Sequence, residues 1–371
     1  GKFYVWQPAQ IKNILGPKRG AQFCDFYDVT ASGNFHEPHG PKNHSILQVQ
    51  IPIQAYAKKN NLNLKSLTQE LQQDRKRLLE VRSKRGRPSL DDKILTDWNG
   101  LMIAALSKAG RALNKPAYTH AASQAADFLL KTLKDKDGRL LHRYRDGDAG
   151  IIAHLDDYAF LVWGLIDLYE STFETKYLNE AIKLNDKMVE LFWDKDHGGL
   201  YFTASDAEKL IIRPKEIYDG AYPSGNSVAA LNFLRLSKMT GRTHGVQKAD
   251  QIMKAFSSQV TRAPSAHAQL MIALDFAVNQ SQEIVVAGDL EKSETQKMLW
   301  EINKRFLPNT VVVHHPLDQI KAKKIRSLCS YIEKQVSING QATAYVCENF
   351  SCQAPTTVIE KLIQSISKSK K

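Results

Sequence analysis

No run of about 18 apolar residues occurs anywhere in the 371-residue chain, so a membrane-spanning helix is not expected. The opening residues Gly1-Lys2-Phe3-Tyr4-Val5-Trp6 lack the basic-then-apolar order of a signal peptide, and the chain reads as cytoplasmic. The four cysteines, Cys24, Cys329, Cys347 and Cys352, are too few and too scattered for a disulfide framework; in a reducing compartment they would stay thiols. Cys347 and Cys352 have no second Cys/His pair nearby, which argues against zinc. There is no glycine-rich phosphate loop, since Ala287-Gly288-Asp289 stands alone. Nothing here calls for a metal or an organic cofactor.

Acidic charge is the scarcer sign: 51 Lys and Arg against 39 Asp and Glu leave a formal net charge of +12. Much of the excess sits in Arg75, Lys76, Arg77, Arg82, Lys84, Arg85 and Arg87, with Lys368, Lys370 and Lys371 closing the chain. Aromatic residues are not interleaved with the basic run, as a platform for stacked bases would need. A solvated helix face and a loose tail are the simpler reading, and nucleic acid is not an expected partner. A polyanion bound by residues 75 to 87 would betray itself by steep salt dependence.

What is present is a repeat. Three stretches begin with a small polar cluster and run into the same helix-turn-helix pattern: Asp97-Trp98-Asn99, Asp156-Asp157-Tyr158 and Ser224-Gly225-Asn226. The first two align without a gap, Leu106 on Leu165 and Tyr118 on Tyr177; the third sets Leu234 on Ile166 and Thr240 on Thr172. Repeats of this size are supersecondary units that bury their apolar faces against one another. Three polar helix starts should therefore gather at one end of the assembly, where a site is most expected.

Turn signals at Gly16-Pro17, Ser32-Gly33-Asn34 and His39-Gly40-Pro41 punctuate residues 1–55, which read as β-rich, with strands at 3–6 and 23–29 and a short helix over 8–15. A charged helix over 64–81 follows. Residues 56–280 read as α/α hairpins, with matching turn-plus-strand flaps at 137–142 and 196–202 and a last apolar helix over 265–278. Residues 281–371 read as a small α/β appendage with strands at 283–287, 310–314 and 344–350, a helix over 292–306 and a basic tail.

Asp97, Asp156 and Ser224 are each suited to cap a helix. Capping needs one residue, however, and leaves Trp98, Asn99, Asp157, Tyr158 and Asn226 unexplained. Adjacent carboxylates can push one pKa up and separate an acid from a base role, while the helix dipole favours both anions. His154 just upstream could transfer protons or be a surface or capping histidine. Residues 213–226, with Arg213, Lys215, Glu216, Asp219, Tyr222 and Ser224, put charged, aromatic and amide groups on one Gly/Pro-rich loop, as a polyhydroxylated ligand requires; a salt-bridged surface loop is the alternative. Glu348, between two cysteines, is a further polar position.

These segments, with Leu95 to Leu101, Leu155 to Phe160, Arg213 to Asn226, and Ala344 to Phe350 with Cys352-Gln353-Ala354-Pro355, resemble the YyaL family, which includes the spermatogenesis-associated, thioredoxin-domain-containing proteins of animals. The resemblance runs from Gly1 to about Lys361. It implies an α/α toroid similar to six-hairpin glycosidases and N-acylglucosamine 2-epimerases, preceded by a thioredoxin-like domain. Only seven barrel helices are read between Asp97 and Val278, so an incomplete toroid is expected, with the thioredoxin-like domain or the missing half of the toroid, or a second copy in a homodimer, as partner. The resemblance implies that Asp97, Trp98, Asn99, Asp156, Asp157, Tyr158, Lys215, Glu216, Asp219, Ser224, Asn226 and Glu348 line a pocket.

The expected function is thus a carbohydrate-active or carbohydrate-binding domain taking a sugar or oligosaccharide. Asp156, Asp157, Asp97 and Glu216 are its candidate acids and bases for glycoside hydrolysis or sugar isomerisation, and Trp98, Asn99, Tyr158, Lys215, Asp219, Tyr222, Ser224, Asn226 and Glu348 its candidate binding residues. The alternative is a non-catalytic scaffold that docks a thioredoxin-like domain or another chain.

Overall fold

The structure, a computed structural model, describes residues 1–36, 38, 40, 42–348 and 351–368. It divides into two compact units, Gly1–Asp91 and Asp92–Lys371. No helix among the described residues is long and apolar enough to cross a membrane.

The first unit is helical, which corrects the β-rich expectation. It contains α1 (Pro8–Leu15), α2 (Pro17–Phe26), α3 (Ile53–Lys59) and α4 (Leu64–Ser83) and, among the described residues, only isolated bridges in place of strands, Trp6 to Ser45 and Phe35 to His44. Residues 23–26 are helix, not strand. Pro17 at the first helical position starts α2, and Gly20, Phe23, Cys24 and Tyr27 recur at helical spacing on its buried side. Aromatic residues that suggest strand by propensity here pack Phe23, Tyr27, Leu67 and Leu71 into one core. Helix α4, grouped with the toroid in the sequence reading, falls inside this unit. Members of the basic run are bound within the unit: the Arg85 guanidinium lies 3.9 Å over the Trp6 ring and donates to the Val5 carbonyl at 2.8 Å, Arg82 lies over Phe3 and Tyr4, and Arg75 hydrogen-bonds Tyr27. The turn expected at His39 to Pro41 includes positions outside the described residues.

In the second unit, β1 (Ile94–Leu95) leads into α5 (Thr96–Ala112) and α6 (Pro116–Thr132); the hairpin β2 (Leu141–Arg145) and β3 (Asp148–Ile152) leads into α7 (Leu155–Thr172) and α8 (Thr175–Phe192). Then come α9 (Gly225–Thr240), α10 (His244–Ala255), the short α11 (Ser257–Arg262) and α12 (Ala268–Val278). Helix α5 packs on α7, α7 on α9 and α9 on α12, while α6, α8 and α10 each pack on the helix before them. This is an α/α toroid-type arc, mainly α and incomplete, with four inner helices and three outer ones. The two turns expected to match each close with one bridge, Lys134 to Leu140 and Trp193 to Leu200, but only the first continues into a hairpin.

Helix α7 is buried on nearly every side, as the centre of an arc must be. Its approach to α5 depends on Gly100 and Gly164. A Cβ on Gly100 would fall 2.5 Å from the Phe160 carbonyl carbon, and one on Gly164 would fall 2.7 Å from the Gly100 oxygen. Alanine gains about 1 kcal/mol of helix propensity over glycine. Backbone-to-backbone overlap cannot be relieved by a rotamer change, and overpacking costs about 1–3 kcal/mol or more. We therefore expect Gly100→Ala to destabilise the protein by about 1–2 kcal/mol in urea unfolding; an unchanged or higher midpoint would refute the close contact.

The rest of the unit is α/β: β4 (Gln282–Gly288), α13 (Ser293–Asn303), β5 (Thr310–Pro316), α14 (Gln319–Leu328), β6 (Thr343–Glu348), β7 (Ser351–Cys352) and α15 (Ile359–Lys368). The sheet order is β5-β4-β6-β7, with β4 and β5 parallel across the α13 crossover and the other pairs antiparallel. The third expected strand is β6; positions 349 and 350, like the end of the basic tail at Lys370 and Lys371, lie outside the described residues. Cys347 and Cys352 are not free thiols: they face each other across the β6–β7 pair and are bonded. Directly opposed positions of a tight antiparallel pair come close enough for this, a juxtaposition their separation along the chain did not disclose. Cys24 and Cys329 are free and buried.

Candidate functional site

The polar helix starts do meet, but by a different capping scheme. Leu95 and His154, not Asp97 and Asp156, precede the first helical residues of α5 and α7; Ser224 does cap α9, its Oγ accepting from the Ser227 N–H at 3.1 Å. The carboxylates instead serve neighbouring helices. Asp157 Oδ1 accepts from the Asp97 N–H in the first turn of α5 at 3.1 Å, and its Oδ2 accepts from the His154 N–H at 2.8 Å. Asp156 takes the Gly225 N–H at the start of α9. Asp219 takes the N–H groups of Gln269 and Leu270 in the first turn of α12, at 2.8 and 3.2 Å, and that of Ser224 at 2.9 Å. Orphan donors at helix starts need such acceptors. Each inner helix is thus tied to a neighbour by a carboxylate.

This scheme sorts the candidates. Asp157 is enclosed and saturated, with the His142 Nδ1 at 3.0 and 3.1 Å from its two oxygens. Asn226 is buried and clamps the chain: its Oδ1 accepts from the Leu200 N–H, and its Nδ2 donates to the Leu200 and Glu216 carbonyls. Lys215 donates to Asp194 at 2.7 Å and to the Gly198 carbonyl at 2.9 Å. Asn99 donates to the Leu95 carbonyl. Tyr158, expected to line the pocket, lies wholly in the core, where its hydroxyl accepts from the Leu140 N–H. Glu348 is remote from the cluster. It accepts from Gln282 on the sheet, and that sheet meets α7 at Glu170, which accepts from the Val312 N–H. Fourteen residues of helix, about 21 Å, separate Glu170 from Asp156.

What remains together at the helix starts is Asp97, Asp156, Glu216 and Tyr222, with His142 and His154 beside Asp157 and Trp98 next to Asp97 in the first turn of α5. Asp156 is half-buried, and its carboxyl is pushed up to about 7, by burial first and then by Asp157, Asp97 and Glu216, against the pull of the Gly225 N–H. A Cβ on Gly225 would fall 2.4 Å from Asp156 Oδ1, so only glycine admits this contact. Asp97 is raised too, by burial and by Asp157. Tyr222 is raised by burial and by Asp156, Asp97 and Glu216, which places its phenol in the same acidic group. Trp98, the residue after Asp97 in the first turn of α5, and Tyr222 are 59% and 49% exposed, aromatic rings left in solvent.

The two histidines diverge. The hydrogen bond to Asp157 holds His142 above its ordinary pKa although burial opposes it, whereas burial pushes His154 down. His154 stacks on Phe202 at 4.8 Å and meets the His142 ring edge-on at 5.5 Å. Ligand atoms of His142, His154 and Asp157 lie within 4.8 Å of one another, a span one cation could bridge. The Asp157 oxygens, however, are already taken by two backbone N–H groups and His142, so the arrangement reads as a hydrogen-bonded relay.

Asp194 was missed as a site-building residue. Burial pushes its carboxyl up, but Lys215, the N–H groups of His197 and Asp196, and the Tyr201 hydroxyl outweigh this and hold it well below the usual range. It anchors the loop that carries Glu216. The one sequence signal was Asp-Lys-Asp-His-Gly-Gly over residues 194–199, a turn that ties an acid to its own N–H groups.

No protein-family model matches the chain. Over 96% of its length it is 32% identical to spermatogenesis-associated protein 20 from Homo sapiens, 48% of which is covered; the chain spans about half the length of the curated relatives it matches. Among solved structures, cellobiose 2-epimerase from Spirochaeta thermophila DSM 6192 is similar at 18% identity and a TM-score of 0.39, over 46% of this chain and 44% of that one. The α-1,6-mannanase GH76A from Salegentibacter sp. HEL1_6 is similar at 11% identity and a TM-score of 0.39, over 91% of each chain.

Proposed function

We propose that this chain, homologous over 96% of its length to spermatogenesis-associated protein 20, performs acid/base chemistry on a saccharide at the N-terminal ends of its inner helices. The observation that carries the reading is a half-buried carboxyl, Asp156, grouped with Asp97, Glu216 and the exposed Tyr222 phenol, with an exposed Trp98 next to Asp97 in sequence. A carboxyl raised to about 7 keeps a proton available at neutral pH and can give it to a glycosidic or carbonyl oxygen. Asp97 or Glu216 would be the complementary base. Trp98 and Tyr222 offer planar apolar faces for a sugar ring. Asp157 acts indirectly, holding His142, His154 and the start of α5 in place.

The test is a thermal-shift screen against mono- and oligosaccharides, followed by product analysis of any saccharide that binds, which separates hydrolysis from isomerisation. We expect a stabilising sugar to lose its effect in a Trp98→Ala, Tyr222→Ala double variant. A sugar that stabilises parent and variant equally would remove the site from this face.

A docking scaffold is the second reading, and one observation favours it. Leu210, Ile211 and Ile212 are consecutive and exposed, on the loop between Phe202 and Arg213. Self-association abolished by Ile211→Lys, with no saccharide bound, would select this reading.

A further inference from the structure

A cavity of about 500 Å³ lies on the inner-helix faces away from the acidic cluster and is bordered by the segment between α13 and β5. Lys108 and Arg111 reach it from α5, eleven and fourteen residues past Asp97, which is about 16–21 Å along the axis. Arg235 reaches it from α9 and Gln269 from α12, while Trp163 and Phe306 contribute apolar walls.

The polar groups facing this space are unbalanced. Glu170 also lines it, but its Oε1 accepts from the Val312 N–H at 3.2 Å and its Oε2 from Arg111 and Arg235 at 2.7 and 3.1 Å. Asp167 behind it takes both guanidiniums as well. Two guanidiniums against two carboxylates cancel, and Arg305, which also lines the space, is paired with Glu301; this leaves the Lys108 ammonium in excess, which acts on Asp167 through space but makes no hydrogen bond among the described residues. The Gln269 side chain is more than nine-tenths buried, and its Nε2 has no partner. An unpaired buried amide donor is costly, and here it borders a space large enough for a small molecule. The carboxylate acceptors are used up, and the groups left over are donors.

We propose that this cavity is a binding site for a small organic anion, its carboxylate or phosphate head held by Lys108 and the Gln269 amide and its apolar body against Trp163 and Phe306. The site is separate from the acidic cluster and does not depend on the activity assigned there.

Calorimetric titration with phenyl phosphate, inorganic phosphate and benzyl alcohol tests each part. Phenyl phosphate should bind most tightly, weaken as salt is raised, and weaken about tenfold in Lys108→Ala, as loss of one charge-assisted contact implies. Lys108 is exposed, so the variant should fold. Gln269→Leu should also weaken binding, while Asp156→Asn should leave it unchanged. Failure of both anions to bind, or phenyl phosphate binding unaltered in Lys108→Ala, would overturn the site. Benzyl alcohol binding as tightly as phenyl phosphate would overturn the anion requirement, and inorganic phosphate binding as tightly would overturn the apolar wall.

Discussion

Arg235→Met is expected to lower the unfolding free energy by about 3–5 kcal/mol, the range for breaking one side of a buried ion network. Asp167 is fully enclosed, and its Oδ1 is held by Arg111 at 3.0 Å and Arg235 at 3.1 Å. Glu170 shares the same two guanidiniums. Burial pushes the Asp167 carboxyl up, but Arg235, Lys108 and Arg111 outweigh it and hold the group well below the usual carboxylate range. Without Arg235, two buried carboxylates must share one guanidinium. The half-buried Lys134–Glu180 pair supplies a control, because Lys134→Met removes a pair better solvated and should cost about 1 kcal/mol or less. The pH dependence carries its own sign. A carboxyl whose folded pKa is depressed contributes stability above its unfolded value of about 3.9, and that contribution fades as pH falls toward the folded value. The parent should therefore lose stability steeply below about pH 4, and the variant less so. A loss under about 1 kcal/mol in urea unfolding would mean that the network is neutral with respect to an apolar replacement.

How far such features could be read from the chain varies with their range. The repeat was legible because Leu106 and Leu165 occupy equivalent places in inner helices packed side by side, and apolar periodicity records that packing directly. The polar end of the arc was legible for the same reason. Which carboxylate acts and which one props was not. Asp156 and Asp157 are neighbours in sequence, but a helix turns about 100° between them, aiming one at the start of α9 and the other at α5 and His142. His142 comes from a strand fifteen residues upstream, and no local motif marks the pair.

The largest misreading was local. Residues 23–29 carry Phe, Tyr and Val, which favour strands, yet Pro17 and the spacing of Gly20, Phe23, Cys24 and Tyr27 make most of the segment a helix against α1 and α4. Tertiary burial overrides propensity in so short an element. Lys215 and Asn226 make contacts within the protein that the sequence left open. Polar residues on a loop suggest a ligand, but here they satisfy the loop's own carbonyls and Asp194, which buried backbone requires.

Asp156→Asn should move activity and stability in opposite directions. If Asp156 donates the proton, turnover of any saccharide substrate should fall by about 10²–10⁴-fold, the usual contribution of a general acid, and the parent's kcat/KM should decline above about pH 7 as the carboxyl ionises. Stability follows the opposite linkage from Asp167. The folded pKa of about 7 lies above the unfolded value of about 3.9, so the folded state holds a proton that the unfolded chain has released. The benefit of that proton is present at low pH and lost as pH rises through 7, where the ionised carboxylate must face Asp157, Asp97 and Glu216. Asparagine still offers Gly225 an acceptor oxygen and never ionises. The variant should therefore match the parent below about pH 4, begin to exceed it as pH rises from there, and exceed it at pH 8 by roughly 0.5–2 kcal/mol, the scale on which removing an unfavourable charge stabilises a protein. A parent–variant difference that stays constant from pH 5 to 8 would show that Asp156 is not the raised group. A pH-dependent gain in stability without loss of turnover would keep the strained carboxyl but assign the proton transfer to another residue, with Asp97 the next to replace.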